Sequence, residues 1–409
     1  MPNQNDRAGL KKTSFLCSLK KSLNPTVIKL GTISFFGDVA SEMLYPITPL
    51  FLTGVLGASM ASMGFIEGVA EAVSALLKIY AAHWSDRLAK RKPFIVAGYI
   101  LSSLAKPLTG FAQIWPHVLL ARSMDRVGKG LRTAPRDALL SDSVEVSQRG
   151  TAFGWHRLMD TLGATVGPLL AILLLTLHPN NLRDIFYWAF IPGLITIAIV
   201  LSIKEPSKLQ KSKNNWENPF KAWRKFPTQF KTYMMAWGLF NLGNSSDVFL
   251  LMKAKAVGFS TIWVILLYCI YNLVYALSSP LFGQLSDRIE RKKVLTIGLM
   301  IYAAVYLGFA QVHVKWHFWI LFIIYGLYMG ATEGVGKALA VDFSPKEFKA
   351  TGIGILGAVT GLCAILSSSI AGIVWDQMGS AWTFYLGALF SVLAIFVLFK
   401  VSSFKKAEL

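Results

Sequence analysis

The sequence has 409 residues, of which 54% are hydrophobic and 15% charged, and its mean hydropathy is +0.50. Soluble domains carry about 25% charged residues, so this composition excludes an ordinary soluble protein. The net charge of +19 would suit nucleic-acid binding, but the basic residues lie between long apolar runs and form no single soluble face, which excludes that class.

The N-terminal residues 1–26 are polar and basic, and their few apolar residues fall at helical spacing. This pattern predicts a short amphipathic helix on the cytoplasmic membrane surface instead of a cleaved signal peptide. The cysteines Cys17, Cys269 and Cys363 are isolated, so neither a disulfide framework nor a metal site is indicated.

Twelve apolar runs follow, each near the roughly 20 residues that a membrane-spanning helix needs. They predict an all-α membrane protein with six spans in residues 27–203, a linker at 204–229, six spans in 230–400, and a tail at 401–409. The predicted spans are 27–52, 61–82, 93–113, 116–140, 150–176, 185–203, 230–252, 260–282, 294–312, 317–341, 350–375 and 382–400.

The basic residues of the connections predict the orientation. With the N-terminus inside, the outside loops contain only Arg183, Lys253, Lys255 and Lys315, and every other basic loop faces the cytoplasm. By the positive-inside rule both termini are therefore cytoplasmic. In the linker, Asn218-Pro219 followed by spaced aromatic residues predicts a short interfacial helix.

The two halves repeat one another. Residues 82–92 read AHWSDRLAKRK and residues 283–293 read GQLSDRIERKK. Two further pairs, 138–142 with 338–342 and 149–154 with 349–354, match at nearly the same offset. This repetition indicates duplication of a six-helix unit in the same orientation.

The repeated segment resembles the loop between the second and third helices of the major facilitator superfamily, Gly-x-x-x-Asp-Arg-x-Gly-Arg-Arg-Lys. The second copy keeps Gly283, whereas Ala82, Ala89 and Glu290 depart from the pattern. The resemblance implies the major facilitator fold, two six-helix bundles, alternating access around a central site, and a monomer. It also implies gating roles for the residues that match the motif, which are Asp86, Arg87, Arg91, Asp287, Arg288 and Arg291.

The fifth span contains Gly154, Gly163, Gly167 and Pro168 at spacings that resemble a motif of drug/proton antiporters, although Ala171 and Ile172 replace its final glycine pair. Glycines four residues apart allow close helix approach, and a proline within a span bends it. We therefore expect a bend at Gly163, Gly167 and Pro168. Ordinary helix packing explains the same residues.

The fourth span carries the richest chemistry. Basic side chains recur there every three or four residues, on an arc of roughly 120°. Because a charge at the bilayer centre costs at least about 2.5–3.5 kcal/mol, they must line a wet cavity or pair with acids. We expect an anionic-substrate site at Arg122, Arg126, Lys129 and Arg132, with Arg126 and Lys129 central; a proton-coupling network and snorkelling of Arg132 and Arg136 are the alternatives.

Acids on the first two spans supply candidate proton carriers, namely Asp38, Glu42, Glu67 and Glu71. Arg122 matches a fourth-span arginine of proton-coupled members of the superfamily. No HExxH, GxSxG or P-loop motif is present, so we expect no enzymatic activity and no cofactor.

These observations favour a proton-coupled transporter in a bacterial inner membrane. It would export a small anionic or zwitterionic solute or a drug, as an antiporter. Proton-coupled uptake of an organic anion such as a carboxylate or a siderophore is the alternative, and a transporter-like receptor without flux is a minor one.

Overall fold

The computed structural model describes residues 24–88, 90–145, 148–178, 181–203, 223–345 and 348–401, except for the side chains of residues 79, 82, 86, 150, 287 and 350. The amphipathic helix predicted within residues 1–26, most of the linker 204–229 and nearly all of the tail 401–409 lie outside these ranges. Within them, the fold consists of helices that run back and forth in alternating directions.

The described chain forms twelve spans. The N-terminal half contains Pro25–Glu42 with Ile47–Gly54 (span 1), Met60–Leu88 (span 2), Lys92–Gly110 (span 3), Trp115–Asp142 (span 4), Arg149–Leu177 (span 5), and Leu182–Trp188 with Phe190–Leu201 (span 6). The C-terminal half contains Thr228–Gly243 with Val248–Ala256 (span 7), Thr261–Ile289 (span 8), Arg291–Gln311 (span 9), Lys315–Asp342 (span 10), Lys349–Met378 (span 11), and Ser380–Phe399 (span 12).

Eight helices in the described ranges are long and apolar enough to cross a membrane by length and composition alone. The other four spans depart from that pattern for physical reasons. Spans 1 and 7 are each interrupted, at residues 43–46 and 244–247, while spans 3 and 4 carry charges within the membrane. The predicted all-α fold of twelve spans is confirmed.

One end of the bundle, which we call the terminal face, gathers the beginning of span 1 and the ends of spans 4 and 6. The Asn24 side chain accepts a hydrogen bond from the Val27 amide and donates one to the Ser143 carbonyl (2.6 Å), which caps span 1 and ties it to span 4. Lys29 donates to the Ser202 carbonyl at 3.0 Å. The loop before span 2 and the ends of spans 7 and 11 lie at the other end, the opposite face.

The two halves contact each other along spans 2 and 11 near the opposite face. A Cβ on Gly64 would lie 2.0 Å from the Ser368 carbonyl oxygen, and one on Gly361 would lie 2.5 Å from the Ala75 side chain. Gly354 and Gly357 continue the face of Gly361 toward the terminal face, yet a Cβ added to either would meet no described atom of a neighbouring element within 4 Å. The halves therefore separate from mid-depth toward the terminal face, and we call the space between them the central cavity.

Candidate functional site

Two glycines position span 4 beside its neighbours. A Cβ on Gly128 would lie 2.4 Å from the Gly98 carbonyl oxygen of span 3, and one on Gly130 would lie 2.6 Å from Leu77 Cβ of span 2. Only glycine permits such close backbone approach. The basic side chains of span 4 are thereby brought within reach of the polar residues on spans 1, 2 and 3.

Three of the span 4 arginines have partners, each on a different neighbouring span. Arg122 Nη2 donates to Glu67 Oε1 at 2.6 Å, and both side chains are buried. The Arg132 guanidinium lies over the Tyr99 ring, 4.2 Å from its centroid. Arg136 donates to Ser34 Oγ at 3.3 Å and forms a salt bridge with the adjacent acid of its own helix.

Arg126 and Lys129 differ from these three. Neither side chain forms a hydrogen bond or a salt bridge within the described ranges, and the buried Nε of Arg126 has no partner there. Arg126 is nevertheless 8% exposed. Its field and that of Lys129 both act on Glu71, whose side chain is exposed to the cavity. Two cations thus border the cavity without direct neutralisation.

The candidate proton carriers also separate into distinct environments. Glu67 is committed to Arg122, whereas Glu71 faces the cavity. Glu42 accepts a hydrogen bond from the Tyr268 hydroxyl on the other half of the protein. Asp38 lies within hydrogen-bonding distance of the Asp160 carboxyl group on span 5.

Asp160 and Asp125 each accept a hydrogen bond from a serine hydroxyl and lie near a basic side chain. Asp160 accepts from Ser34 Oγ at 2.7 Å and pairs with Arg157 at 3.2 Å. Asp125 accepts from the Ser102 hydroxyl and lies 3.8 Å from the Lys106 ammonium. The pairing of Asp38 with Asp160 joins spans that are distant in sequence, so spacing alone gave no signal for it.

The C-terminal half contributes a second polar group. Asp247 lies in the interruption of span 7 and accepts hydrogen bonds from the Tyr271 and Tyr325 hydroxyls, at 2.9 and 2.6 Å. Tyr45 of span 1 stacks on Tyr268 of span 8, with ring centroids 5.2 Å apart. The substrate-binding and proton-coupling residues expected from sequence included none from this half. The polar cluster Asn244-Ser245-Ser246-Asp247 within an apolar run was the available signal.

The residues with expected gating roles lie at the terminal face. Arg91 forms a salt bridge with Asp142 at 2.9 Å, and Arg291 forms the corresponding one with Asp342 at 2.6 Å, so both pairs are related by 200 residues. The side chains of Arg87 and Arg288 are exposed. Those of Asp86 and Asp287 lie outside the described part of the structure.

Span 5 runs as one helix through Pro168. A Cβ on Gly163 would lie 2.4 Å from the Phe35 carbonyl oxygen, and one on Gly167 would lie 2.8 Å from that of Val39. These two glycines therefore seat span 5 against span 1, next to Asp38. Gly154 has no neighbour within 4 Å.

Comparison with known proteins identifies this architecture. A family model described as Major Facilitator Superfamily matches residues 30–270 and 232–408. The chain belongs to the major facilitator superfamily. As a member of it, the protein is a multi-pass membrane transporter.

Two relatives match the chain over different lengths. An uncharacterized MFS-type transporter of Methanocaldococcus jannaschii is 34% identical over 380 residues, 91% of this chain and 94% of that protein. A probable 4-methylmuconolactone transporter of Cupriavidus pinatubonensis is 30% identical over 166 residues, 40% of this chain and 39% of that protein.

Solved structures share the major facilitator fold. The nucleoside transporter NupG matches with a TM-score of 0.76 at 14% identity, over 93% of this chain and 100% of its own. A bacterial homolog of the human lysosomal transporter Spinster, inward-facing and occupied, matches with a TM-score of 0.73 at 17% identity, over 93% and 98%.

Proposed function

We propose that this protein exports a small organic anion or zwitterion in exchange for protons. The terminal face is then cytoplasmic, and the cavity is open to the cytoplasm of a bacterial cell. A monomer contains all the residues that this function requires.

The proposal rests on the lack of hydrogen-bonded or ion-paired partners for Arg126 and Lys129 in the described structure. A buried cation without a bonded partner is costly, because it has lost its hydration. Three acids act on Arg126 electrostatically, but none forms a hydrogen bond or salt bridge with it in the described chain, namely Asp125, Glu71 and Glu67. The neighbouring Arg122 avoids this cost through Glu67. An acidic group on the substrate would supply what Arg126 lacks, and the planar guanidinium suits carboxylate and phosphate oxygens.

Proton coupling is supported by the contact of Asp38 with Asp160. Two carboxyl groups close to each other favour the binding of a proton to one of them, because their negative charges repel. The field of Lys129 acts on Asp38 and on Glu71. Binding of an anion at Lys129 would change that field, which links substrate binding to protonation of these acids.

Export is supported by the resemblance of span 5 to antiporters and by the position of its glycines. Gly163 and Gly167 bring span 5 onto span 1 where Asp38 lies. A movement of span 5 would therefore separate Asp160 from Asp38. An exchanger needs a proton carrier whose environment changes between the two states of the transporter.

A ligand screen on purified protein tests the proposal, because a ligand that binds the folded state raises its melting temperature. The panel contains di- and tricarboxylates, anionic siderophores, sugar phosphates and lipophilic cations. We expect stabilisation by at least one anion, lost in Arg126→Gln and retained in Arg136→Gln, since Arg136 already has partners.

Two results would contradict the proposal. Stabilisation by lipophilic cations alone, unchanged in Arg126→Gln, would indicate a drug exporter whose arginines do not touch substrate. Equal losses in Arg126→Gln and Arg136→Gln would indicate that the two positions act only through the structure of span 4.

A further inference from the structure

Asp247 occupies a helix-cap position without acting as a cap. It directly precedes the helix Val248–Ala256, where an aspartate normally accepts from the free amides of the first turn. Its side chain makes no such bond. Both of its described hydrogen bonds come from tyrosine hydroxyls, on Tyr271 of span 8 and Tyr325 of span 10. The carboxyl group is therefore directed into the bundle.

Asp247 forms no salt bridge within the described ranges. The charged groups that act on it most strongly, Glu333 and Glu71, are themselves acidic. A carboxylate held in this way gains hydrogen bonds from two hydroxyls but no counter-charge. It therefore needs either a proton or a cationic ligand.

The surroundings of Asp247 favour a cation. Tyr45, Tyr268, Tyr271 and Tyr325 follow one another with ring centroids 5.2 to 5.5 Å apart. Tyrosine rings attract cations over their faces. Glu42, which accepts from the Tyr268 hydroxyl, adds another acidic group at the same place.

The positive and the negative parts of the site act on the same residues between them. Tyr45 experiences the fields of both Asp247 and Arg126, and Glu71 experiences that of Arg126 and acts on Asp247. The two charged groups belong to different halves of the protein. A molecule that contacts both of them would connect the halves.

We propose that the substrate is a zwitterion, and that Asp247 binds its cationic centre while Arg126 and Lys129 bind its acidic group. The acidic contact rests on the proposed function, whereas the contact to Asp247 is additional. Because the two charges come from opposite halves, such a substrate stabilises the conformation in which the halves approach around it.

Matched ligands test this inference on the purified full-length protein. Each set has one carbon skeleton in three forms, for example butyrate, 4-aminobutyrate and butylamine, with aromatic and longer aliphatic sets alongside. Affinities are measured by thermal shift and by tryptophan fluorescence. We expect at least one zwitterion to bind about 10-fold or more tightly than its matched anion, since a charge-assisted contact is added.

The variants locate the cationic contact. Asp247→Asn keeps an oxygen that can accept the tyrosine hydrogen bonds but removes the negative charge. It should therefore lower the zwitterion's affinity to that of the anion and leave the anion's affinity unchanged. Arg126→Gln should weaken both ligands. The half-buried Asp184 provides the control, because Asp184→Asn removes an acid whose side chain bonds only to Asn181 in the described chain. It should alter neither ligand's affinity.

The outcomes separate this inference from the proposed function. Equal binding of anion and zwitterion by the wild type, or no response to any zwitterion, would overturn the inference while anion binding still supports the proposed function. Unchanged affinities in Asp247→Asn would show that Asp247 holds a proton instead, because asparagine mimics the neutral acid. Absence of binding by every anion and every zwitterion would contradict the proposed function itself.

Discussion

Arg122 and Arg126 lie one helical turn apart on span 4, and both are 8% exposed. Their difference comes from one neighbour, because Glu67 reaches Arg122 at 2.6 Å and does not bond to Arg126. A buried ion pair contributes little net stability relative to apolar residues, but removal of one partner leaves a costly bare charge. Glu67 is accordingly a structural requirement for Arg122.

Glu67→Gln should therefore destabilise the protein, whereas Glu71→Gln should not. Glu67 and Glu71 lie one turn apart on span 2, but the side chain of Glu71 is exposed to the cavity and makes no salt bridge in the described structure. Breaking a buried pair from one side costs about 3–5 kcal/mol. The measurement is the melting temperature of each purified variant in detergent.

A double variant controls for the chemistry of the substitution. Glu67→Met with Arg122→Met removes both charges, so it should recover much of the stability that either single change loses. Equal melting temperatures for Glu67→Gln and Glu71→Gln would show that the pair contributes nothing in the membrane protein.

Sequence alone placed the charged residues on the correct helices but could not assign their partners. The spacing of Arg122, Arg126 and Lys129 predicted a polar surface on span 4. Whether Arg122 meets Glu67 or Glu71 depends on the position of span 2 along its axis relative to span 4, which a single sequence does not determine. Asp160 and Asp247 were missed as members of the site for a related reason, since their contacts join spans remote in sequence.

At the scale of helices, the start of span 2 shows how the two halves are joined at the opposite face. The first amides of a helix have no partner within the helix. The Asp376 carboxylate at the end of span 11 accepts from the amides of Met60 (3.1 Å) and Ala61 (2.8 Å). Ser59 Oγ accepts from Ser62 within the same half. One half of the protein thus caps a helix of the other.

Asp376→Ala should shift the protein toward opening at the opposite face. A helix cap contributes about 0.5–2 kcal/mol, which corresponds to a roughly 2- to 30-fold change in the ratio of open to closed states. The reporter is Met252→Cys in a background without the native cysteines, because Met252 is 9% exposed and contacts Thr53 of the other half. Its labelling by a membrane-impermeant maleimide should become faster.

Gln377→Ala is the matched control, since Gln377 adjoins Asp376 and its side chain is exposed. It should leave the labelling rate at the wild-type value. If Asp376→Ala also labels at that rate, the capping contact does not hold the opposite face closed.

At the scale of the whole molecule, the halves meet near the opposite face and part toward the terminal face. In the proposed function, this arrangement would be one state of an alternating-access cycle. The twelve spans were predictable because hydrophobic length and turns are local properties of sequence. The closed face was not predictable, because it depends on glycine contacts and a helix cap between the halves.

The most direct test of export in exchange for protons is transport driven by an imposed pH gradient. Proteoliposomes containing the purified protein are given a labelled anion or zwitterion that stabilises it. If the protein is an exchanger, the labelled solute should accumulate in the proteoliposomes when their interior is acidic. It should not accumulate when the exterior is acidic. Asp38→Asn should abolish this response to the gradient while equilibrium exchange of the solute continues. Accumulation driven by an acidic exterior would contradict the account and establish proton-coupled uptake.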